Sequence, residues 1–206
     1  MGGAMGEIRN DSAAQAADLG RVVRVNEEIK KILRISSEVN LVALNAMLMA
    51  KQAGEKSRGF SVVSSELRIF SGKLEQFMGG LGGLVLGLVV DVALMLKQVR
   101  MRRHFLQIVG NSASGGKNLS AVLARKEAEL NEVSELVKQD WGKLTLQIHR
   151  ALQLCETGNS LSRSAKIEAV YGGDMTAALK QVSNEIEGTI NQILTILKTL
   201  KIQMAD

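Results

Sequence analysis

The 206-residue sequence predicts an all-α protein: a long antiparallel helical coiled-coil hairpin that forms part of a four-helix bundle. Three observations carry that prediction. Proline is absent from the whole chain; turns recruit proline to preset φ, whereas a helix interior loses about 3 kcal/mol to it. Aromatic residues make up 3% of the chain and hydrophobic residues 46%, so the core must be built from Leu, Val, Ile, Met and Ala, as helix seams are. Apolar residues also recur at alternating spacings of three and four, the heptad signature.

The first seam runs through Val22, Val25, Ile29, Ile32, Ser36, Val39, Ala43, Ala46, Ala50 and Ala53. It narrows to alanine, which lets two helices approach closely, and stops at the polar turn Gly54-Glu55-Lys56-Ser57. A second seam follows through Phe60, Val63, Leu67, Phe70, Leu74, Phe77, Leu81, Leu84 and Leu88. Two such helices, roughly 6–53 and 58–108, joined by so short a turn become antiparallel neighbours. The glycine- and serine-rich stretch 110–116 reads as a linker between a hairpin region, 1–109, and a C-terminal helical region, 117–206.

In that second region a helix over 117–154 carries Leu119, Leu123, Leu130, Val133, Val137, Trp141, Leu144, Ile148 and Leu152 on one stripe. The run 156–160, ETGNS, reads as a turn. Gly172, Gly173 and Asp174 mark another interruption, with Asp174 as N-cap of a last helix bearing Met175, Leu179, Val182, Ile186, Ile193, Leu197 and Leu200. No internal repeat is apparent beyond the heptads. The C-terminal helices either fold back to complete a four-helix bundle within one chain or leave the hairpin to pair with a second copy.

Little chemistry is offered. Cys155 is the sole cysteine, so no intrachain disulfide or thiolate zinc site is expected. His104 and His149 lack metal-ligand spacing. No nucleophile elbow, P-loop, zinc-protease or dinucleotide motif appears, which argues against an enzyme and against any cofactor. A net charge of +5 without stacking aromatics argues against nucleic acid. The opening MGGAMGEIRNDS lacks the apolar core of a secretory signal, and a cytoplasmic location is expected.

Residues 35–71, ISSEVNLVALNAMLMAKQAGEKSRGFSVVSSELRIFS, resemble the signalling hairpin tip of bacterial methyl-accepting chemotaxis proteins. NLVALNA, AGE and RGF occur in family order and spacing, without a gap across the turn. The resemblance implies a hairpin that dimerises into a four-helix coiled coil and docks a histidine kinase and its coupling adaptor at the tip. By position, Asn40, Leu41, Leu44, Asn45, Glu55, Arg58, Phe60 and Val62 would line the partner contacts, with Gly54 and Gly59 at the turn. Asn45 offers a specifying hydrogen bond, Glu55 and Arg58 offer charge pairing, and Phe60 anchors the turn. Met49 and Gln52 stand where the family carries a Glu and an Arg, which argues against clustering of dimers into trimers; Lys51 replaces a small residue. Glu27 and Glu28 lack the small neighbours of the family's methylation sites, so no adaptation methylation is expected.

The segment 78–96, MGGLGGLVLGLVVDVALML, is apolar except for Asp91. Gly79, Gly83 and Gly87 recur every four residues, a pattern that permits close helix approach in membranes or a flexible hinge. Membrane insertion of this segment is the alternative reading. The basic residues after it would hold its C-terminal flank in the cytoplasm. The hairpin tip would then lie outside, away from any kinase, so a buried helix is favoured.

Overall fold

The computed structural model describes the backbone of residues 2–111 and 116–205 and the side chains of residues 19–107 and 121–204. Four helices follow one another: α1 (Gly2–Gln52), α2 (Arg58–Asn111), α3 (Gly116–Ala169) and α4 (Thr176–Ala205), with 3-10 turns at Gly54–Ser57 and Gly173–Met175. Among the described residues there is no strand. Of the expected linker, Gly110 and Asn111 end α2 and Gly116 begins α3, while 112–115 lie outside the described residues. The chain forms two compact units, Met1–Asn26 with Gly83–Leu144 and Glu27–Gly82 with Thr145–Asp206.

The second unit holds both turns and parts of all four helices, so the C-terminal helices fold back on the hairpin and the bundle is completed within one chain. Its first hairpin reverses at Gly54, whose φ of 74° suits glycine because a Cβ would clash in the left-handed region. Lower down, two buried serines tie the arms together. The Ser36 hydroxyl donates to the Ser71 carbonyl at 3.1 Å, and the Ser71 hydroxyl donates back to the Ser36 carbonyl at 2.6 Å. Two hydroxyls that would each cost free energy if buried alone thus satisfy one another.

The α1 seam buries Ile29, Ile32, Ser36, Val39, Ala43, Ala46 and Ala50 as expected, while Ala53 is half-buried. The α2 seam differs from the expected one. Phe60, Leu67, Phe70, Leu74 and Leu81 are buried, but Val63 and Phe77 are half-exposed, and Ser64, Ser71 and Met78 take the intervening core positions. Serine fits there because its hydroxyl is used locally: that of Ser64 donates to the Phe60 carbonyl at 2.8 Å.

The expected turn at 156–160 is absent; α3 runs unbroken to Ala169. Gly158 is a packing notch rather than a breaker. A Cβ at that position would stand 2.6 Å from Cζ of the buried Phe70 ring. Ala for Gly gains up to about 1 kcal/mol of helix propensity, but overpacking costs about 1–3 kcal/mol. Gly158→Ala is therefore expected to lower the urea midpoint; a raised midpoint would show that the ring is not seated there.

The α3 seam in this unit is Ile148, Ala151, Cys155, Gly158, Ser162, Ala165 and Ala169, with Leu152 only half-buried. Small side chains occupy the heptad positions, so the larger Leu152 misled the phase. Asp174 is not the N-cap of the last helix. α4 begins at Thr176, whose hydroxyl donates to the Gly173 carbonyl at 2.7 Å, and Gly173 carries the turn with φ 58°. The α4 core is Leu179, Ser183, Ile186, Ile190, Ile193, Leu197 and Leu200.

The two hairpins share a spacing that the sequence reading, which found no repeat beyond the heptads, did not register. Most buried positions of the second hairpin lie 119 residues after one of the first, as 148 does after 29, 169 after 50, 179 after 60 and 200 after 81, while Gly172, Val182 and Leu194 follow positions that are only half-buried. The two glycines of positive φ, 54 and 173, obey the same offset.

The other unit is built from the start of α1, the end of α2 and the start of α3. Val22 and Val25 of α1 are buried, as are Val85, Leu88, Val92, Met95 and Val99 of α2 and Leu130, Val137 and Leu144 of α3. Leu84, expected in the seam, is half-buried, and Leu123, Val133 and Trp141 are half-buried too; the side chain of Leu119 lies outside the described residues. The Arg21 guanidinium sits 5.7 Å from the Trp141 ring centroid, within cation–π range. Arg102, from the basic cluster after the apolar segment, faces Glu127 at 3.9 Å.

Candidate partner-docking tip

Heptad phase decides which tip side chains are available. With Ala43, Ala46 and Ala50 turned inward, Leu41, Leu44, Asn45 and Leu48 project outward one helical turn apart. Leu41 is 61% exposed and Leu48 52%. On α2, Val62 is 60% exposed on the outer face. Such a run of exposed aliphatics beside polar groups is the composition of an interaction surface.

Glu55 and Arg58 stand out from the turn with their charged groups 3.8 Å apart. Both are almost fully solvated, so their mutual attraction is weak and each remains open to a partner charge. Asn40 and Gly59 are half-buried. A Cβ on Gly59 would run into the Glu168 carboxylate of α3, the flexible end of a side chain that can move aside. Phe60 is fully buried, which places it beneath the tip as its internal anchor and not on the outer face. Ser57 is buried beside it, and its hydroxyl has no protein partner.

The second hairpin contributes features that the sequence reading missed. A groove runs between α1 and α4, with Asn45, Leu48 and Met49 on one wall and Gln181, Val182 and Glu185 on the other. The two turns also border one cleft, in which Gln52, Glu55 and Lys56 face Gly173, Asp174 and Met175. Leu48 was legible as an exposed heptad position; the α4 wall was not, because only folding brings it there. Exposed Ile167, Val170 and Tyr171 give the α3 end a different surface.

Among the described residues the titratable groups offer no reactive centre. Burial pushes the Cys155 thiol up to about 12, since a thiolate would lose its hydration there. Cys155 is expected to resist a thiol reagent at mildly alkaline pH and to react only in denaturant; prompt reaction in the folded protein would contradict its burial. Glu27 and Glu28 are held by Lys30 and Lys31 at 2.8 and 2.7 Å. The hydrogen bond from Lys30 holds the exposed Glu27 carboxyl below its usual range. Among the described residues no cluster of His, Cys, Asp and Glu could hold a metal ion.

In the apolar segment, α2 is continuous through Gly79, Gly83 and Gly87, and a Cβ on any of them would meet nothing within 4 Å. These glycines do not serve close helix approach in this structure. Two helical stretches, Leu19–Gln52 and Gly54–Gln107, are long and apolar enough to cross a membrane, their most apolar 18-residue windows having mean hydropathy 1.3 and 2.1.

Known chemotaxis proteins are similar in sequence at low identity. The chain is 30% identical over 142 residues to the methyl-accepting chemotaxis protein PctB of Pseudomonas aeruginosa, a match covering 65% of this chain and 22% of that protein. It is 37% identical over 70 residues to PcaY of Pseudomonas putida, across 34% of this chain and 13% of the relative. With McpA of Bacillus subtilis it shares 30% identity over 123 residues, 58% of this chain and 17% of the relative. The chain is a divergent relative of the methyl-accepting chemotaxis proteins. No family model matches the sequence. The matches span less than a quarter of the length of these three relatives.

Proposed function

We propose that this chemoreceptor relative is a chemotaxis-type signal transducer whose hairpin tip binds and regulates a histidine kinase through its coupling adaptor. The observation that carries the reading is the outward projection of Leu41, Leu44, Asn45 and Val62 around an exposed Glu55 and Arg58. These residues lie in the stretch 35–71 that resembles the family tip. In this reading the aliphatic side chains supply buried area on docking, while Asn45 and Arg58 fix register through hydrogen bonding and charge. No group is transferred and no cofactor takes part, so the protein acts by binding and not as an enzyme. A tip that meets a kinase works on the cytoplasmic side.

Signal passage rests on the same packing. Alanine and serine at core positions near the turns bury less apolar area than leucine, at about 25 cal/mol per Å². The tip is thus held more weakly than the Leu- and Ile-rich layers below, and a small shift in packing alters what it presents. A pull-down of kinase and adaptor by the full chain tests the proposal. Wild type is expected to retain both; Arg58→Glu weakens retention about tenfold or more, and Asn45→Ala weakens it less. Failure of wild type to retain either protein refutes kinase coupling.

A second reading is favoured by one observation. Leu86, Val90 and Leu94 on α2 are 63%, 65% and 40% exposed, and Lys97 and Arg100 continue on that face. An apolar stripe ending in cations suits an anionic bilayer surface. The opposite face of the segment is occupied by the protein core at Val85, Leu88, Val92 and Met95, so this reading is adsorption through one face rather than insertion. Salt-sensitive co-sedimentation with anionic vesicles, reduced by Val90→Glu, supports it; no sedimentation at low salt rejects it.

A further inference from the structure

We propose that the C-terminal hairpin is a diverged second copy of the N-terminal hairpin, seated within the chain where a second molecule would sit in a symmetric four-helix bundle. The protein then works as a monomer whose tip has one docking face instead of two. The offset of 119 residues holds in both arms and across the turn without insertion or deletion. A heptad has seven phases, so agreement in each arm is not imposed by helical periodicity itself. Chemistry repeats along with position. Gly54 and Gly173 both turn with positive φ. Ala46 and Ala50 recur as Ala165 and Ala169, and Glu66 recurs as Glu185. Ser64 and Ser183 each donate to the carbonyl four residues earlier, both at 2.8 Å.

The core of the first hairpin is closed by this arrangement. Between Ile29 and Leu81 its buried core residues are at most 3% exposed, so that seam is occupied within the chain. Divergence reaches both core and outer face, and on the outer face it replaces the docking side chains. Where the first copy has Leu41, Leu44, Asn45, Arg58 and Val62, the second has Ser160, Arg163, Ser164, Ala177 and Gln181. At these five positions the aliphatic contacts become polar and the turn cation is lost, while the second tip exposes Ile167, Val170 and Tyr171 elsewhere, so only the first copy keeps the docking side chains of the proposed adaptor face.

The one-face statement rests on the proposed adaptor binding; the duplication does not, and the experiment separates them. Light scattering of the full chain is expected to give 22.2 kDa at every concentration; a species of twice that mass would overturn the proposal. Spin labels at Glu38→Cys and Thr157→Cys, in a Cys155→Ala background, are expected to keep their dipolar coupling on dilution with unlabelled chain. Loss of coupling on dilution means that hairpins pair between chains and overturns it too. Titration with a coupling adaptor is expected to saturate at one per chain, with binding weakened tenfold or more by Arg58→Glu and unchanged by Ala177→Glu. Two adaptors per chain, or equal loss from both substitutions, would refute the single face. No binding by wild type would refute the docking reading, while mass and dilution still decide the duplication.

Discussion

Phe60→Ala is expected to destabilise the protein by about 3–5 kcal/mol, the cost of removing a fully buried aromatic side chain from a core that cannot close around the void. Phe60 is 0% exposed. It is the first large core residue after the turn, and the α1 positions near that end, Ala43, Ala46 and Ala50, are small. Alanines have no spare length with which to fill the cavity. Urea unfolding followed by far-UV circular dichroism measures the effect. Val62→Ala is the matched control: Val62 is 60% exposed, so its truncation should change stability by no more than about 0.5 kcal/mol while weakening adaptor binding. Equal losses of stability from the two substitutions would mean that the phase assigned to α2 is wrong.

The second large effect has the opposite sign. Replacing Gly79, Gly83 and Gly87 together by alanine is expected to stabilise the protein by about 1–3 kcal/mol. Each glycine in a helix interior is less favourable than alanine by up to about 1 kcal/mol. At these sites the added methyl groups meet no atom within 4 Å, so no steric cost offsets the gain. A lower midpoint would show that something closes on this face. If the glycines act as a hinge, the same triple variant should bind the adaptor normally yet fail to change kinase activity, separating flexibility from docking.

Much of the hairpin could be read from residue type. The positions of Val39, Ala43, Ala46 and Ala50 and the glycine at 54 fixed the first arm, its inward face and its turn. The reading failed where small residues do the work of large ones. Ser64 and Ser71 looked polar and were passed over in favour of Val63 and Phe77, yet their hydroxyls are satisfied by backbone carbonyls and the helix buries them. Gly158 looked like punctuation but makes room for Phe70. In the second hairpin Ala151, Cys155, Gly158 and Ser162 form the seam, so the hydrophobic signal drifted to Leu152. The repeat escaped for the same reason: the second copy kept heptad phase and turn geometry while exchanging most of its letters. Which outer residues meet α4 was not legible at all, because that groove is made by tertiary packing.

Cross-linking of Ser36→Cys with Ser71→Cys, in a Cys155→Ala chain, bears most directly on the doubling back at Gly54. The two serine hydroxyl oxygens lie 3.4 Å apart, and a disulfide demands close, correctly aimed Cβ atoms. Oxidation of dilute protein should produce an intrachain bridge that runs as a monomer on a non-reducing gel and leaves the helical spectrum intact. Bridging only between chains, or none under conditions that oxidise the unfolded chain, would show that the arms do not lie against each other.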